Sequence, residues 1–518
     1  MTHALALERG LALGREAPCL VQGPRCWSYA DVDRLSARVA RRLLAAGLGP
    51  GRQASVLSRN DAEAFICVFG ISRAGMAWVP ANPRLNEDDN AYLLEHMDCA
   101  LLIFHSELAD MARALRARLP GLRHWICLDR ALDGFESLAQ WLEGVDDAPV
   151  QALYDAEAIA IIAPTGGTTG RSKGVQLTQR NVGAFMAAHL ASLHYPHTER
   201  PVNLAAAPLT HAAGFAALPT IARGGQVVVL QAPEPLAVLD AIEAHRVTEL
   251  FLPPTVIYRL LATPGVRGRD YASLRYFIYA AAPMAVEKLK EALQVFGPCM
   301  TQVFGQAEAP MMCSFLAPGE HVQDGLPADD ELLSSCGHPT PMVQVRILGE
   351  DNRPVPHGER GEICVRGDLV TPGYYRQPEA TAATIVDGWL HTGDVGFIDA
   401  RGRLHICDRK KDMIISGGFN IYPQEIEQVL WSHPGVEDCA VIGVPDDDWG
   451  EAVKAVVELK PGGQATPAEL IALCKSRLGS LKSPKTVDFV AQLPRSPNGK
   501  VLKRDLRERY WQGGARAI

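Results

Sequence analysis

The chain alternates between two hydrophobic spacings. Ser28 stands three residues before Asp31, as in a capping box, and Val32, Leu35, Val39 and Leu43 then recur at helical spacing until Gly47. Further along, the short apolar runs Gln226–Leu230, Thr248–Leu252, Arg275–Tyr279 and Met300–Phe304 read as buried strands. Between them, Pro235–Ala244, Pro254–Leu261 and Ala285–Phe296 read as helices. This alternation predicts an α/β fold with substantially parallel sheets, whose ligands bind at the carboxyl ends of the strands.

From about Gly337 the texture changes. Gly, Pro and charged turns separate short strands at Gln344–Leu348, Gly361–Arg366 and Arg403–Ile406, and a basic cluster, Arg409-Lys410-Lys411-Asp412, follows. The α/β pattern then returns, with helices at Pro423–Trp431 and Pro467–Leu478 and strands at Ala440–Val444 and Val453–Leu459. A boundary near residue 410 leaves about 110 residues at the end, the size of a small domain.

Composition removes several classes of protein. With 518 residues, 47% hydrophobic and 21% charged, the chain is long enough for two to four globular domains and unlike a disordered, coiled-coil or collagen-like protein. Lys and Arg number 51 against 59 Asp and Glu, and a net charge of −8 is the wrong sign for a non-specific nucleic-acid partner. No apolar run approaches the ~20 residues of a membrane helix. Met1 to Gly14 lacks the basic start and sustained apolar stretch of a signal peptide. The 12 cysteines are scattered singly with no CxxC pair, which predicts reduced thiols in a cytoplasmic enzyme rather than a zinc site or a disulfide framework. His194 and His197 form a lone H-x-x-H with no further ligand cluster nearby and read as a surface loop.

The segment Thr165-Gly-Gly-Thr-Thr-Gly170-Arg-Ser-Lys173-Gly174 carries the most chemistry. It follows the strand-like run Ile159–Ala163. Its glycines let backbone N–H groups approach an anion, the threonine hydroxyls add donors, and Lys173 supplies positive charge, as a polyphosphate requires. It is not a Walker A loop, because Arg171 and Ser172 separate Gly170 from Lys173. Gly170-Arg-Ser172-Lys-Gly174 also fits the G-x-S-x-G of a serine α/β-hydrolase. That elbow needs its serine directly between a strand and a helix, whereas Ser172 lies well past the strand and precedes the strand-like Val175–Leu177.

The loop resembles the phosphate-binding signature T-S-G-T-T-G-x-P-K-G of the adenylate-forming superfamily, which includes acyl- and aryl-CoA synthetases. Further segments resemble that family's motifs in the same order: Pro208-Leu-Thr-His211, Ala280-Ala281-Ala282-Pro283-Met284, Phe304-Gly305-Gln306-Ala307-Glu308 and His391-Thr-Gly393-Asp394. So do Asp408-Arg409-Lys-Lys411-Asp412, Gly417-Gly418-Phe419-Asn420 with Glu425 and Glu427 beyond it, and Pro494-Arg-Ser-Pro-Asn-Gly499-Lys500. The resemblance covers nearly the whole chain. Gly166 and Ser172 depart from the usual Ser and Pro of the loop, Ala280 from a common Gly, and Ala307 from the usual Thr, whose hydroxyl contacts the phosphates in relatives.

The resemblance implies a large N-terminal domain (1–408) of mixed and parallel sheets flanked by helices with a small β-barrel-like part, a hinge (409–411) at Lys411, and a small mobile α+β C-terminal domain (412–518). The implied activity is that of an ATP- and Mg²⁺-dependent acid–CoA ligase, forming acyl-AMP and pyrophosphate, then acyl-CoA and AMP. An enzyme that loads a carrier protein is the nearest alternative. By resemblance, Lys500 and Glu308 are catalytic, with Glu308 holding Mg²⁺, and His211 borders the acyl and thiol-entry region. Thr165, Gly166, Gly167, Thr168, Thr169, Gly170 and Lys173 hold the phosphates. Ala281, Ala282, Pro283, Phe304, Gly305, Gln306, Asp394 and Arg409 surround the rest of the nucleotide. Gly417, Gly418, Phe419 and Asn420 line the CoA tunnel. His211, Ala212, Ala213, Phe215, Ala217 and Ala280 line an acyl pocket without Arg or Lys, suited to a medium or long acyl chain or a bulky aryl acid. A solvated lysine, a turn aspartate and a linker charge are the plain alternatives for Lys500, Asp394 and Lys411. Pro494–Lys500 also fits P-x4-G-K, a pattern tied in relatives to lysine acetylation. The partners implied are small molecules, with a homodimer compatible but not specified.

Overall fold

The computed structural model describes residues 2–152, 154–165, 172–495 and 501–511. Of the expected site, Gly166, Gly167, Thr168, Thr169, Gly170 and Lys500 lie outside the described residues. The helix expected after Ser28 runs Tyr29–Ala45, with the reciprocal Ser28–Asp31 capping box in place.

Among the described residues the strands form five sheets, and two of them build the large N-terminal domain. The nine-stranded sheet has a parallel interior made from Val202–Ala205, Gln226–Val229, Glu249–Leu252, Tyr276–Tyr279 and Met300–Gln306, with antiparallel strands at its ends. The eight-stranded sheet is parallel through Gln53–Leu57, Ala77–Pro80, Cys99–Phe104 and Ile159–Thr165, then turns antiparallel at Lys173–Thr178. Unbroken apolar runs form these strands because both faces are covered. In Cys99–Phe104, Leu101 and Ile103 point into the main core, whereas Leu102 and Phe104 point into a second core on the other face. The expected strands and helices all form, within a few residues of their predicted ends.

The turn-rich region after Gly337 forms a five-stranded antiparallel sheet from Gln344–Leu348, Gly361–Arg366, Ile385–Val386, Trp389–Ile398 and Leu404–Arg409. The short turn Lys410–Asp412 leads out of it into a separate, smaller α/β sheet at the C-terminal end. There Val436–Asp446 pairs with Gly450–Leu459, and alternate residues again serve two faces. Cys439 and Val441 meet the helices Pro423–Trp431 and Pro467–Leu478, and Ala440 and Ile442 meet Leu506 of the helix Lys503–Tyr510. Among the described residues no helix is long and apolar enough to cross a membrane.

Candidate active site

Thr165 and Lys173 stand opposite each other where the strands Ile159–Thr165 and Lys173–Thr178 meet. Ser172 leads directly into the second strand, not into a helix, so the hydrolase elbow has no structural basis. The Lys173 ammonium lies 4.5 Å from the centroid of the Tyr374 ring, a cation–π contact. The Tyr374 hydroxyl donates a 2.8 Å hydrogen bond to Glu308 Oε1. A lysine and a carboxylate from different sheets therefore converge on one tyrosine, the lysine on its ring and the carboxylate on its hydroxyl.

Long-range pairing makes this possible. Gly373 and Tyr374 add a two-residue strand to Lys173–Thr178, opposite Gln176 and Val175. The Asn181 side-chain amide donates to the carbonyls of Asp368 and Val370, each at 2.8 Å, and the Thr371 hydroxyl donates to the carbonyl of Gln176. Glu308 occupies the turn between Met300–Gln306 and Ala309–Leu316, where its carbonyl accepts the Thr371 N–H at 2.8 Å. Gly305 permits that turn: a Cβ there would sit less than 3.0 Å from Met311 N and Ala309 O, both backbone atoms. Burial and the neighbouring Glu308 carboxylate push the Tyr374 hydroxyl above its ordinary pKa, so it stays a donor.

Asp394 is buried on Trp389–Ile398, opposite Arg409 on the next strand, whose Nε lies 2.7 Å from Asp394 Oδ1. Gln306 Nε2 reaches the Thr392 carbonyl at 3.5 Å, joining this strand to the one that leads to Glu308. Glu362 accepts from the Gly393 N–H at 3.0 Å and approaches His391 Nδ1 and Lys410 Nζ, each at 3.2 Å. Burial opposes its charge, but these partners hold its carboxyl below the ordinary range.

His211 directly precedes the helix Ala212–Ala222, and its Nδ1 shares a 2.9 Å hydrogen bond with Thr210 Oγ1. That helix divides the expected pocket wall. Ala213 and Ala217 are buried in the main core, whereas Ala212 and Phe215 keep part of their surface exposed. Phe215 packs edge-on against Phe185 at 5.2 Å. Ala280 to Pro283 follow the strand Tyr276–Tyr279, with Ala281 at φ +74°, a conformation costly for a residue with a Cβ. His211, Ala280–Pro283 and Ala307–Glu308 thus all follow the carboxyl ends of parallel strands in one sheet, and Gln306 ends the last of them. Phe304 lies on the last of these strands, half-buried.

Lys411 lies in the turn Lys410–Asp412, between the antiparallel sheet and the C-terminal one. Gly417 and Gly418 make the tight turn between Ile414–Ser416 and Phe419–Ile421 with φ of +57° and +81°. Phe419 and Asn420 beside them are exposed, Phe419 by 55%. Tyr374 was not legible as a site residue in sequence. Its only local signal is a Gly-Tyr-Tyr within a turn-rich stretch, and its partners lie 66 and about 200 residues away.

Comparison with known proteins identifies the class. The model of the AMP-binding enzyme family matches residues 7–375, and that of the AMP-binding enzyme C-terminal domain matches 425–500. The chain is 36% identical over 500 residues to the medium/long-chain-fatty-acid–CoA ligase FadD8 of Mycobacterium tuberculosis, covering 94% of this chain and 86% of the relative. It is 37% identical over 508 residues to a feruloyl-CoA synthase of an Amycolatopsis species, covering 97% and 98%. The structure of the amide bond synthetase McbA from Marinactinospora thermotolerans superimposes with a TM-score of 0.89 at 32% identity, covering 98% of this chain and 100% of that one. The chain belongs to the AMP-binding enzyme family and is an AMP-forming acid–thiol ligase.

Proposed function

We propose that the protein joins a medium- or long-chain fatty acid, or a bulky aryl acid, to coenzyme A through an acyl-adenylate. The observation that carries this reading is the convergence of Lys173, Tyr374 and Glu308, tied through Gln306 to Asp394 and Arg409. Bringing a carboxylate against a triphosphate sets two anions together, so catalysis is mainly charge neutralisation and alignment. Lys173 and Thr165 take the β- and γ-phosphates, with Tyr374 holding both the lysine and Glu308 in place. Asp394 accepts from the ribose hydroxyls, a role for a two-oxygen acceptor, and Arg409 orients it. Lys500 neutralises charge between the acid and the α-phosphate.

Glu308 fits Mg²⁺. It is a buried carboxylate with one oxygen on the Tyr374 hydroxyl, and a single carboxylate completed by substrate phosphates and water is the donor set this ion takes. Bound there, the ion supplies charge neutralisation on the phosphates.

The arrangement of the two domains suits the adenylation step. The Gly417–Asn420 loop, assigned to the thiol step, faces solvent. Lys503, three residues beyond Lys500, instead approaches Asp408, the neighbour of Arg409. The acid class follows from the half-exposed Ala212, Phe215 and Ala280, which bring no cation to pair a second carboxylate. Each buried CH₂ adds about 0.8 kcal/mol, so specificity should rise from acetate through octanoate. The test is a panel of carboxylic acids with ATP, Mg²⁺ and CoA, scored by AMP release. Acetate or malonate outperforming octanoate and every aryl acid would overturn the substrate class.

A further inference from the structure

A half-buried lysine spans the two sides of the Lys410–Asp412 turn. Lys503 opens the helix Lys503–Tyr510, and its Nζ lies 2.8 Å from Glu427 Oε1 and 3.8 Å from Asp408 Oδ2. Glu427 belongs to the helix Pro423–Trp431, on the same side of the Lys410–Asp412 turn as Lys503, whereas Asp408 lies before that turn on Leu404–Arg409. The side chains are 17% exposed for Lys503, 5% for Glu427 and 6% for Asp408.

Both carboxylates are fixed independently of the lysine. Asp408 Oδ1 accepts the Arg409 N–H at 2.7 Å, and Oδ2 accepts the Gln424 N–H at 2.9 Å. Glu427 Oε1 accepts the Val441 N–H at 2.7 Å. One ammonium thus serves two buried carboxylates. Burial pushes Glu427 up to about 7 and raises Asp408 as well. Burial also works against the charge of Lys503, but the facing carboxylates hold its pKa above the ordinary value.

A buried ion pair is a poor source of stability compared with apolar side chains of the same volume, so its placement asks for another reason. Rotation about Lys411 would carry Lys503, Glu427 and Gln424 away as one body and leave Asp408 behind. The Lys503–Glu427 contact survives such a motion, but the two contacts to Asp408 do not. Other contacts cross the same hinge, such as Gln428 Nε2 to the Met284 carbonyl at 3.2 Å and the Arg360–Glu425 pair, but the carboxylate of Asp408 is buried and adjoins Arg409, the partner of Asp394.

Resting on the two-step reading above, we propose that Lys503 is a positioning residue for adenylation. Its ion pair with Asp408 latches the C-terminal domain in the arrangement seen here. It thereby fixes the chain three residues from Lys500 beside the strand that carries Arg409.

The test compares Lys503→Met, Lys503→Arg and Asp408→Asn with the wild type. Asp408→Asn keeps the size and one acceptor oxygen for Gln424 while removing the charge and the acceptor for the Arg409 N–H, and it reads the latch should Lys503→Met fail to fold. Three quantities are followed: acid-dependent ATP–pyrophosphate exchange, thioester formation from a supplied acyl-adenylate and CoA, and tryptic cleavage after Arg409, Lys410 and Lys411 read by intact mass. Lys503→Met and Asp408→Asn should each slow exchange about tenfold or more while the thioester step stays within about twofold. Both should speed hinge cleavage at least about fivefold, the double variant should be no worse than either single one, and Lys503→Arg should recover most of the exchange. Equal loss in both half-reactions, additive effects or unchanged hinge cleavage would overturn the latch. Absence of exchange by the wild type with every acid would instead overturn the ligase reading, and hinge cleavage would still decide the latch.

Discussion

Gly305 and His189 show how much one position can carry. Any Cβ at Gly305 would collide with the backbone at Ala309 and Met311, which cannot yield as a flexible side chain would. Gly305→Ala should therefore cost about 1–3 kcal/mol as an overpacking substitution and displace Glu308, lowering pyrophosphate exchange more than stability accounts for. Thermal unfolding and exchange measured side by side check this, and an unshifted Tm would contradict it. His189 is buried, neither ring nitrogen has a hydrogen-bond partner among the described residues, and burial lowers its pKa to about 3. His3 and His321 are likewise held near 4 by burial. A histidine whose folded pKa is depressed contributes stability that is present above its unfolded value of about 6.5 and is lost as pH falls below it, because the unfolded chain takes up the proton first. At pH 5 each such residue costs about 2 kcal/mol. His189→Met should be neutral or stabilising at pH 7.5 and should shrink the fall in Tm between pH 7.5 and pH 5. An unchanged fall would remove His189 from the account.

The helix Ala212–Ala222 is buried along nearly its whole length, and only Ala212 and Phe215 near its start keep part of their surface exposed. Ala217 is fully buried against the core, so Ala217→Phe should overpack and cost about 1–3 kcal/mol, seen as a lower Tm with any acid. Phe215 keeps exposed surface while packing against the main core and edge-on against Phe185, so Phe215→Ala should lower Tm modestly and move the acid preference toward longer or bulkier chains. Equal acid profiles for Phe215→Ala and the wild type would take Phe215 out of the pocket wall. Composition marked this helix as rich in alanine, but which alanines face inward depends on the sheet beneath. The same limit runs through the element boundaries. Apolar runs located the core strands because burial on both faces forces them to be apolar. Polar extensions such as Glu437, Asp438 and Asp446 escaped notice, since they become strand only through pairing with Gly450–Leu459. Tyr374 and Lys503 escaped for the same reason. The first is defined by pairing across about 200 residues, and the second reads as part of a solvated basic flank until Glu427 and Asp408 enclose it.

At the scale of the whole molecule, one active site must serve two reactions with different third parties, a triphosphate first and a thiol second. On the function proposed above, two segments of the smaller domain serve these steps in turn. The Lys503 end lies against Asp408, and the glycine turn Gly417–Gly418 lies in solvent. On that proposal the exchange between them is a rotation, and Lys411 sits in the short turn where the chain passes from one sheet to the next. Lys500→Ala should reduce adenylation by several orders of magnitude, as removal of a transition-state charge contact does, while transfer from a supplied acyl-adenylate to CoA persists. Lys411→Pro should do the reverse. Proline fixes φ near −65° and narrows the turns its neighbours can make, so if the arrangement proposed above serves adenylation, the variant should keep that step and lose the second. Burst kinetics give the reading: Lys411→Pro should show a normal first turnover of pyrophosphate followed by a slowed steady state of acyl-CoA, with acyl-adenylate accumulating on the enzyme. Equal slowing of both phases, or of neither, would mean that the chain pivots elsewhere than Lys411.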